Sequence, residues 1–175
     1  DQIVDMGCSI GGDALALAAS APVIGIEQDE LRAAMAQENG RALRVDLAVV
    51  QADVSALPLR LSPRQAVFFD PARRTEHGRS YSVADYQPPL ALVHGWLGQT
   101  DAVGAKISPG VQLDELAGFD CEVEFVSLDG ALKEPYERTT LTHHRRGELP
   151  VPLLAGAGLP TIGPAGCGRN PRAAR

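Results

Sequence analysis

Ile3-Val4-Asp5-Met6-Gly7-Cys8-Ser9-Ile10-Gly11-Gly12-Asp13 is the stretch that decides the fold. A short apolar run ends in an acid and is followed by three glycines, after which residues 13–19 carry helix-forming Ala and Leu at nearly every position. This predicts strand, glycine-rich turn, helix. Glycine lets a backbone approach a ligand closely and adopt positive φ. Ser9 stands where the spacing G-x-G-x-x-G would have its middle glycine, which lowers the case for a dinucleotide pyrophosphate. A tight turn without a ligand is the ordinary alternative.

Outward from this stretch the alternation continues. Val23-Ile24-Gly25-Ile26 predicts a second buried strand ending at Glu27. Asp29 can cap a helix running through Leu43, with Leu31, Ala34, Met35 and Ala42 expected on one face. Residues 47–51 and 66–69 predict two further strands without polar alternation, the pattern of strands covered on both faces. A helix is expected over 83–97 across Pro88-Pro89, and a fifth strand over 102–107. Residues 121–127 alternate in polarity, and Asp129-Gly130 is a hairpin turn signal before Ala131-Leu132. The order β-α-β-α-β-β-α-β, closed by an antiparallel hairpin, predicts an α/β doubly wound sheet with covering helices.

Composition sets the bounds. The 175 residues, 45% hydrophobic and 22% charged, suffice for one domain with a real core and exclude a chain that as a whole is a disordered tail or a stapled mini-protein. A net charge of −6 offers no overall footprint for nucleic acid or an anionic membrane, so any phosphate binding must be local. Cys8, Cys121 and Cys167 are odd in number and widely spaced, which fits neither a disulfide framework nor a zinc site. No apolar run approaches the roughly 18 residues of a membrane span, so a soluble, cytoplasmic protein without a membrane partner is expected. The chain opens at Asp1 inside an apolar strand, which predicts an N-terminally truncated core.

Charge is distributed unevenly. Residues 1–134 hold 10 Lys+Arg and 20 Asp+Glu, whereas 135–175 hold 6 and 2, together with six prolines and six glycines. This predicts a core over 1–134 and a flexible Pro/Gly/Arg-rich tail over 135–175. Two alternatives are a basic arm touching RNA through Arg145, Arg146, Arg169, Arg172 and Arg175, and a tail that is not native.

Ligands of open α/β sheets bind where strands end. Asp5 ends the first strand; Glu27, 22 residues later, ends the second, where a carboxylate can accept both hydroxyls of a ribose; Asp53 leaves the third, where it can accept from an adenine amino group. Each alone is more often a solvated or capping acid, but three at successive strand ends point to one ligand. Asp70-Pro71-Ala72-Arg73-Arg74 leaves the fourth strand. Pro71 biases Asp70 toward an extended conformation at the sheet edge, and Arg73 and Arg74 are forks suited to phosphate, with a solvated pair as the alternative. His143-His144 lack acidic or thiol company and read as loop residues, so no metal site is expected. Cys8 reads as a packing residue and Trp96 as core.

Asp5-x-Gly7-x-x-x-Gly11, Glu27, Ala52-Asp53 and Asp70-Pro71, in this order, resemble the motifs of class I S-adenosylmethionine methyltransferases. Asp70-Pro71-Ala72-Arg73-Arg74 and Lys106-Ile107-Ser108-Pro109-Gly110 resemble the bacterial methyltransferases that carry a THUMP-like domain; Gly11-Gly12 and Asn39 are more distantly similar to the guanine-N2 trimethylguanosine synthases. The resemblance covers about residues 2–134. It implies a Rossmann-like sheet and S-adenosylmethionine as cofactor, bound by Asp5, Gly7, Gly11, Glu27 on the ribose, and Asp53-Val54 near the adenine. It also implies Asp70 and Pro71 as the catalytic pair that holds a planar amine. Ala72 and Arg73 stand where amino methyltransferases have a second proline and an aromatic. The expected activity is methyl transfer to an amine, with guanine N2 in RNA as leading acceptor and Arg73 and Arg74 on substrate phosphate. Other readings are a methyltransferase of a protein amide or small molecule, a non-catalytic RNA-binding fragment, and a nicotinamide-dependent dehydrogenase, which would have no need of Asp53 or Asp70-Pro71.

Overall fold

The computed structural model describes residues 1–144 apart from 73, 76–77, 80–81, 101, 109, 120 and 127–137, and the backbone alone at 74–75, 78–79, 124–126 and 138–144. In chain order the elements are β1 (Gln2–Met6), α1 (Gly12–Leu17), β2 (Val23–Glu27), α2 (Glu30–Leu43), β3 (Leu47–Gln51), β4 (Gln65–Phe69), β5 (Arg74–Thr75), β6 (Gly78–Arg79), α3 (Leu92–Leu97), β7 (Ala102–Ile107), β8 (Glu122–Val126) and β9 (Arg138–His144). Seven of the strands form one sheet in the order β3-β2-β1-β4-β7-β9-β8. The first five run parallel; β9 is antiparallel to β7 and to β8. The doubly wound α/β reading therefore holds. Strand order reverses between β1 and β4, which makes the carboxyl edge there the natural place for a ligand.

Period-two alternation sends successive residues to opposite faces. On one face Val4, Met6, Val67, Phe69, Val103, Ala105 and Ile107 join Tyr86, Leu90 and Trp96, so Trp96 is core as expected. On the other, Ile3, Val23, Leu47 and Phe68 pack with Ala14 and Leu17 of α1 and Ala36 of α2. Phe68 is in register with Asp5 on one side and Gly104 on the other, so Asp5, Phe68 and Lys106 share the face that α1 covers.

Asp29 caps α2 as predicted, accepting from the Arg32 N–H at 2.9 Å. The buried face of the helix differs from the expectation. Leu31 and Met35 are 65% and 46% exposed and Ala34 and Ala42 lie outside the core, while Ala33, Ala36 and Gly40 face the sheet. Small residues win because the helix lies close: a Cβ on Gly40 would sit 3.2 Å from Leu47, and one on Gly11 would sit 3.3 Å from the Ala36 Cβ. The helix expected over 83–97 is also corrected. It is split into a 3-10 turn at Val83–Asp85 and α3, because Pro88 and Pro89 lack the N–H donors a continuous helix needs.

Strand β9 carries the sheet past residue 134, where composition had ended the core, and it holds His143 and His144 opposite Val103 and Ala102, not in a loop. Averaging over 41 residues hid the three β-branched threonines of Thr139-Thr140-Leu141-Thr142. The turn at Asp129-Gly130, its return strand at Ala131-Leu132 and residues 145–175 lie outside the described residues. Among the described residues no helix is long and apolar enough to cross a membrane.

Gly25 of β2 makes room for Cys8: a Cβ there would lie 2.7 Å from the Cys8 Sγ. Gly25→Ala is expected to destabilise the fold by about 1–3 kcal/mol through overpacking. Cys8→Ala in the same background should recover most of that loss in denaturant unfolding, whereas simple additivity of the two substitutions would contradict the packing assignment.

Candidate functional site

The turn after β1 is held open by backbone geometry. Gly7 and Gly11 sit at φ 83° and 92°, and Ser9, in place of a middle glycine, sits at φ 51°. A non-glycine residue tolerates that region only when its surroundings fix it. Here Glu27 does so, accepting the Ser9 N–H at 2.9 Å through Oε2 and the Asp29 N–H at 2.9 Å through Oε1. The Gly7 and Cys8 N–H groups donate to the Ile26 carbonyl at 2.8 and 2.9 Å, and Asn39 Nδ2 donates to the Ile10 carbonyl at 2.9 Å. Glu27 is thus neither solvated nor a helix cap, but a buried clamp between turn and second strand.

A Cβ on Gly7 or Gly12 would meet nothing within 4 Å, so the turn presents open space along its backbone. Asp53 is exposed and caps the 3-10 turn Val54–Ala56, accepting from the Ser55 N–H at 2.7 Å; Val54 buries its side chain in the core. Asp70 and buried Pro71 leave β4, and Ala72 is pinned to Gln87 by N–H···O bonds of 2.8 and 3.0 Å. Arg73 lies outside the described residues, and of Arg74 only the backbone, at the start of β5, is described.

Two residues missed as site members join this edge. Lys106 Nζ lies 2.6 Å from Asp13 Oδ2 and 2.6 Å from Asp70 Oδ2, and 5.3 Å from the centre of the Phe68 ring. The signal was present in Ala102-Val103-Gly104-Ala105-Lys106-Ile107: a lysine in a strand covered on both faces must find a charge partner. Asp5 is 2% exposed and its Oδ2 has no hydrogen-bond partner. Burial, with Asp13 next in weight, pushes its carboxyl up from 3.8 to about 7, against the lowering influence of Lys106. Burial likewise pushes the Cys8 thiol up to about 12, helped by Asp5 and Glu27, so it stays protonated and packs. Among the described residues no group of three His, Cys, Asp or Glu side chains is placed to hold a metal ion.

No protein-family profile matches the chain. It is 37% identical over 135 residues to an uncharacterized S-adenosylmethionine-dependent methyltransferase of Mycobacterium tuberculosis, found in two strains. The match takes in 74% of the chain and 36% of that protein, so the chain spans about a third of the relatives' length. Among solved structures it is similar to a candidate methyltransferase from Porphyromonas gingivalis (TM-score 0.62, 25% identity, 93% of this chain and 42% of that one). A second likeness is to an RNA methyltransferase from Salinibacter ruber in complex with S-adenosyl-L-homocysteine (TM-score 0.56, 17% identity, 87% and 86%). A third is to an rRNA methylase from Streptococcus thermophilus (TM-score 0.59, 13% identity, 83% and 87%). The residues present fit S-adenosylmethionine. Glu27 has used one acceptor site on each oxygen, and a carboxylate offers about four, which leaves room for two ribose hydroxyls. Gly7 supplies open space for a close approach.

The raised Asp5 carboxyl sets a pH dependence of stability. Between 3.8 and about 7 the folded chain keeps a proton that the unfolded chain has lost, so folding weakens as pH rises through that window and levels off above it. The ceiling on this loss is about 4 kcal/mol at roughly 1.4 kcal/mol per pKa unit. Asp5→Asn should remove this part of the slope in unfolding measured from pH 4 to pH 8; an unchanged slope would contradict the assignment.

Proposed function

Starting from a chain that carries the fold of class I S-adenosylmethionine-dependent methyltransferases and is akin to them in sequence, we propose that it is the catalytic core of an enzyme that methylates an amine, with guanine N2 in RNA as the leading acceptor. The observation that carries this reading is Asp70, which leaves β4 at the switch point with one carboxylate oxygen fixed on Lys106. That leaves Oδ1 to accept an N–H of the incoming amine and turn its lone pair toward the methyl. When bound, S-adenosylmethionine supplies a methyl on a cationic sulfur, and in-line displacement asks the protein mainly for alignment, whose ceiling in model systems is about 7–11 kcal/mol. Glu27 would hold the ribose, Asp53 and the Val54 backbone the adenine edge, and Asp5, Gly7 and Gly11 the turn against the methionine portion. No side-chain nucleophile is needed.

Arg73 and Arg74 would bind substrate phosphate just past Asp70, a local basic patch in an otherwise acidic core. The RNA methylases that share the fold support this reading, as does the likeness of the Asp70–Arg74 segment to enzymes with a THUMP-like domain, and a cytoplasmic site of action goes with it.

Asp70→Ala should lower single-turnover transfer of labelled methyl to total bacterial RNA by about two orders of magnitude, the scale of a lost transition-state contact, while S-adenosylhomocysteine affinity stays within about twofold. Asp70→Asn, which keeps an acceptor oxygen, should retain more activity than Ala. Label on a ribose hydroxyl or ring carbon would overturn the amine assignment; label on protein alone would favour a protein amide; no transfer at all would favour a non-catalytic RNA-binding role. Replacing Arg73 and Arg74 with Ala should weaken RNA binding and flatten its salt dependence without altering cofactor affinity. An unaltered salt slope would show the pair to be solvated.

A further inference from the structure

The carboxyl edge holds more negative charge than its structural contacts require. Asp5 arrives from β1, Asp13 from the first turn of α1 and Asp70 from the end of β4, and the one cation among the described residues of this cluster is Lys106 from β7. Glu27 of β2 is engaged by the Ser9 and Asp29 N–H groups, and Cys8 in the turn keeps its proton. Lys106 already serves Asp13 and Asp70 at 2.6 Å each. Asp5 is left with a backbone hydrogen bond from Ala14 and one buried oxygen that has no hydrogen-bond partner. A buried carboxylate oxygen without a partner carries a cost that a ligand's charge can relieve.

We propose that Asp5, within the cluster it forms with Asp13, Asp70 and Lys106, reads the charge on the cofactor's sulfur and favours the sulfonium donor over the thioether product. This rests on the S-adenosylmethionine reading above. During transfer the S–CH3 bond breaks and its electron pair stays on sulfur, which becomes neutral. The acceptor nitrogen forms the new N–CH3 bond with its lone pair and then loses a proton to solvent. Positive charge therefore leaves the sulfur, and with it the attraction to an excess of carboxylates. Substrate is retained and product let go by the same four side chains.

Proton exchange follows from the same balance. Asp5 titrates near neutrality in the free protein. A bound sulfonium favours its ionised form, so donor binding releases a proton, and by linkage donor affinity rises with pH. The thioether lacks that charge and exchanges little.

Titration calorimetry of the whole chain with S-adenosylmethionine and with S-adenosylhomocysteine, at pH 6 and pH 8 in phosphate and in imidazole buffer, reads both effects. Donor affinity should rise about three- to fivefold between the two pH values, the range expected for a pKa displaced from about 7 by roughly one half to one unit, and product affinity should change by less than about twofold. The buffer pair should reveal proton release for the donor alone, and Asp5→Asn should abolish both the release and the pH-dependent preference. A donor-to-product ratio that does not move with pH, or equal proton release for both ligands, would overturn the inference while leaving cofactor binding intact. Absence of binding by either ligand would overturn the cofactor reading itself.

Discussion

The two hydrogen bonds that Glu27 accepts from the Ser9 and Asp29 amides fix the geometry of the whole sheet edge. One oxygen secures the turn after β1 in its left-handed conformation, and the other secures the entry to α2. Each is a charge-assisted bond in a buried setting, worth about 1.5–3 kcal/mol. Removing the carboxylate would release Ser9 from a conformation it does not favour and leave two amides to find other partners. The clamp also explains why a serine suffices where a glycine would be expected: the surroundings supply what the side chain costs.

Around that clamp the small residues do the shaping. Gly25 admits Cys8, Gly11 admits Ala36, and Gly40 admits Leu47, so turn, second strand and second helix approach one another closely. The other half of the edge is set by charge. Lys106 emerges from a strand buried on both faces and is held by Asp13 on the turn's own helix and Asp70 on the segment that leaves β4. The helix that follows the glycine turn and the segment that leaves β4 are thereby joined through one ammonium. Burying that ammonium would cost several kcal/mol without such partners, so the arrangement is kept only as a set.

Much of this was legible in the sequence, for reasons that can be named. The uninterrupted apolar runs at residues 3–4, 23–26 and 66–69 follow from a sheet covered on both faces, and Asp5, Glu27 and Asp70 stand where those strands end, as their place in the sequence predicted. Asp29 announced its helix by capping chemistry. The inward face of α2 was not legible, because hydrophobicity favours Leu31 and Met35 whereas close packing on β2 and β3 admits only Ala33, Ala36 and Gly40. Nor was β9, whose threonines were submerged in a segment rich in Pro, Gly and Arg. Asp13 and Lys106 are 93 residues apart in sequence, and no local pattern pairs them; only the register of β1, β4 and β7 brings them to one place.

The central claim is that this edge receives an adenosyl group through Glu27 and the glycine turn. A crystal structure of the chain with S-adenosylhomocysteine tests it most directly. Both ribose hydroxyls should lie within hydrogen-bond distance of the Glu27 carboxylate, with the sulfur over the turn at Gly7 toward Asp70. A ribose engaged elsewhere, or a ligand seated away from the ends of β1 and β4, would contradict it.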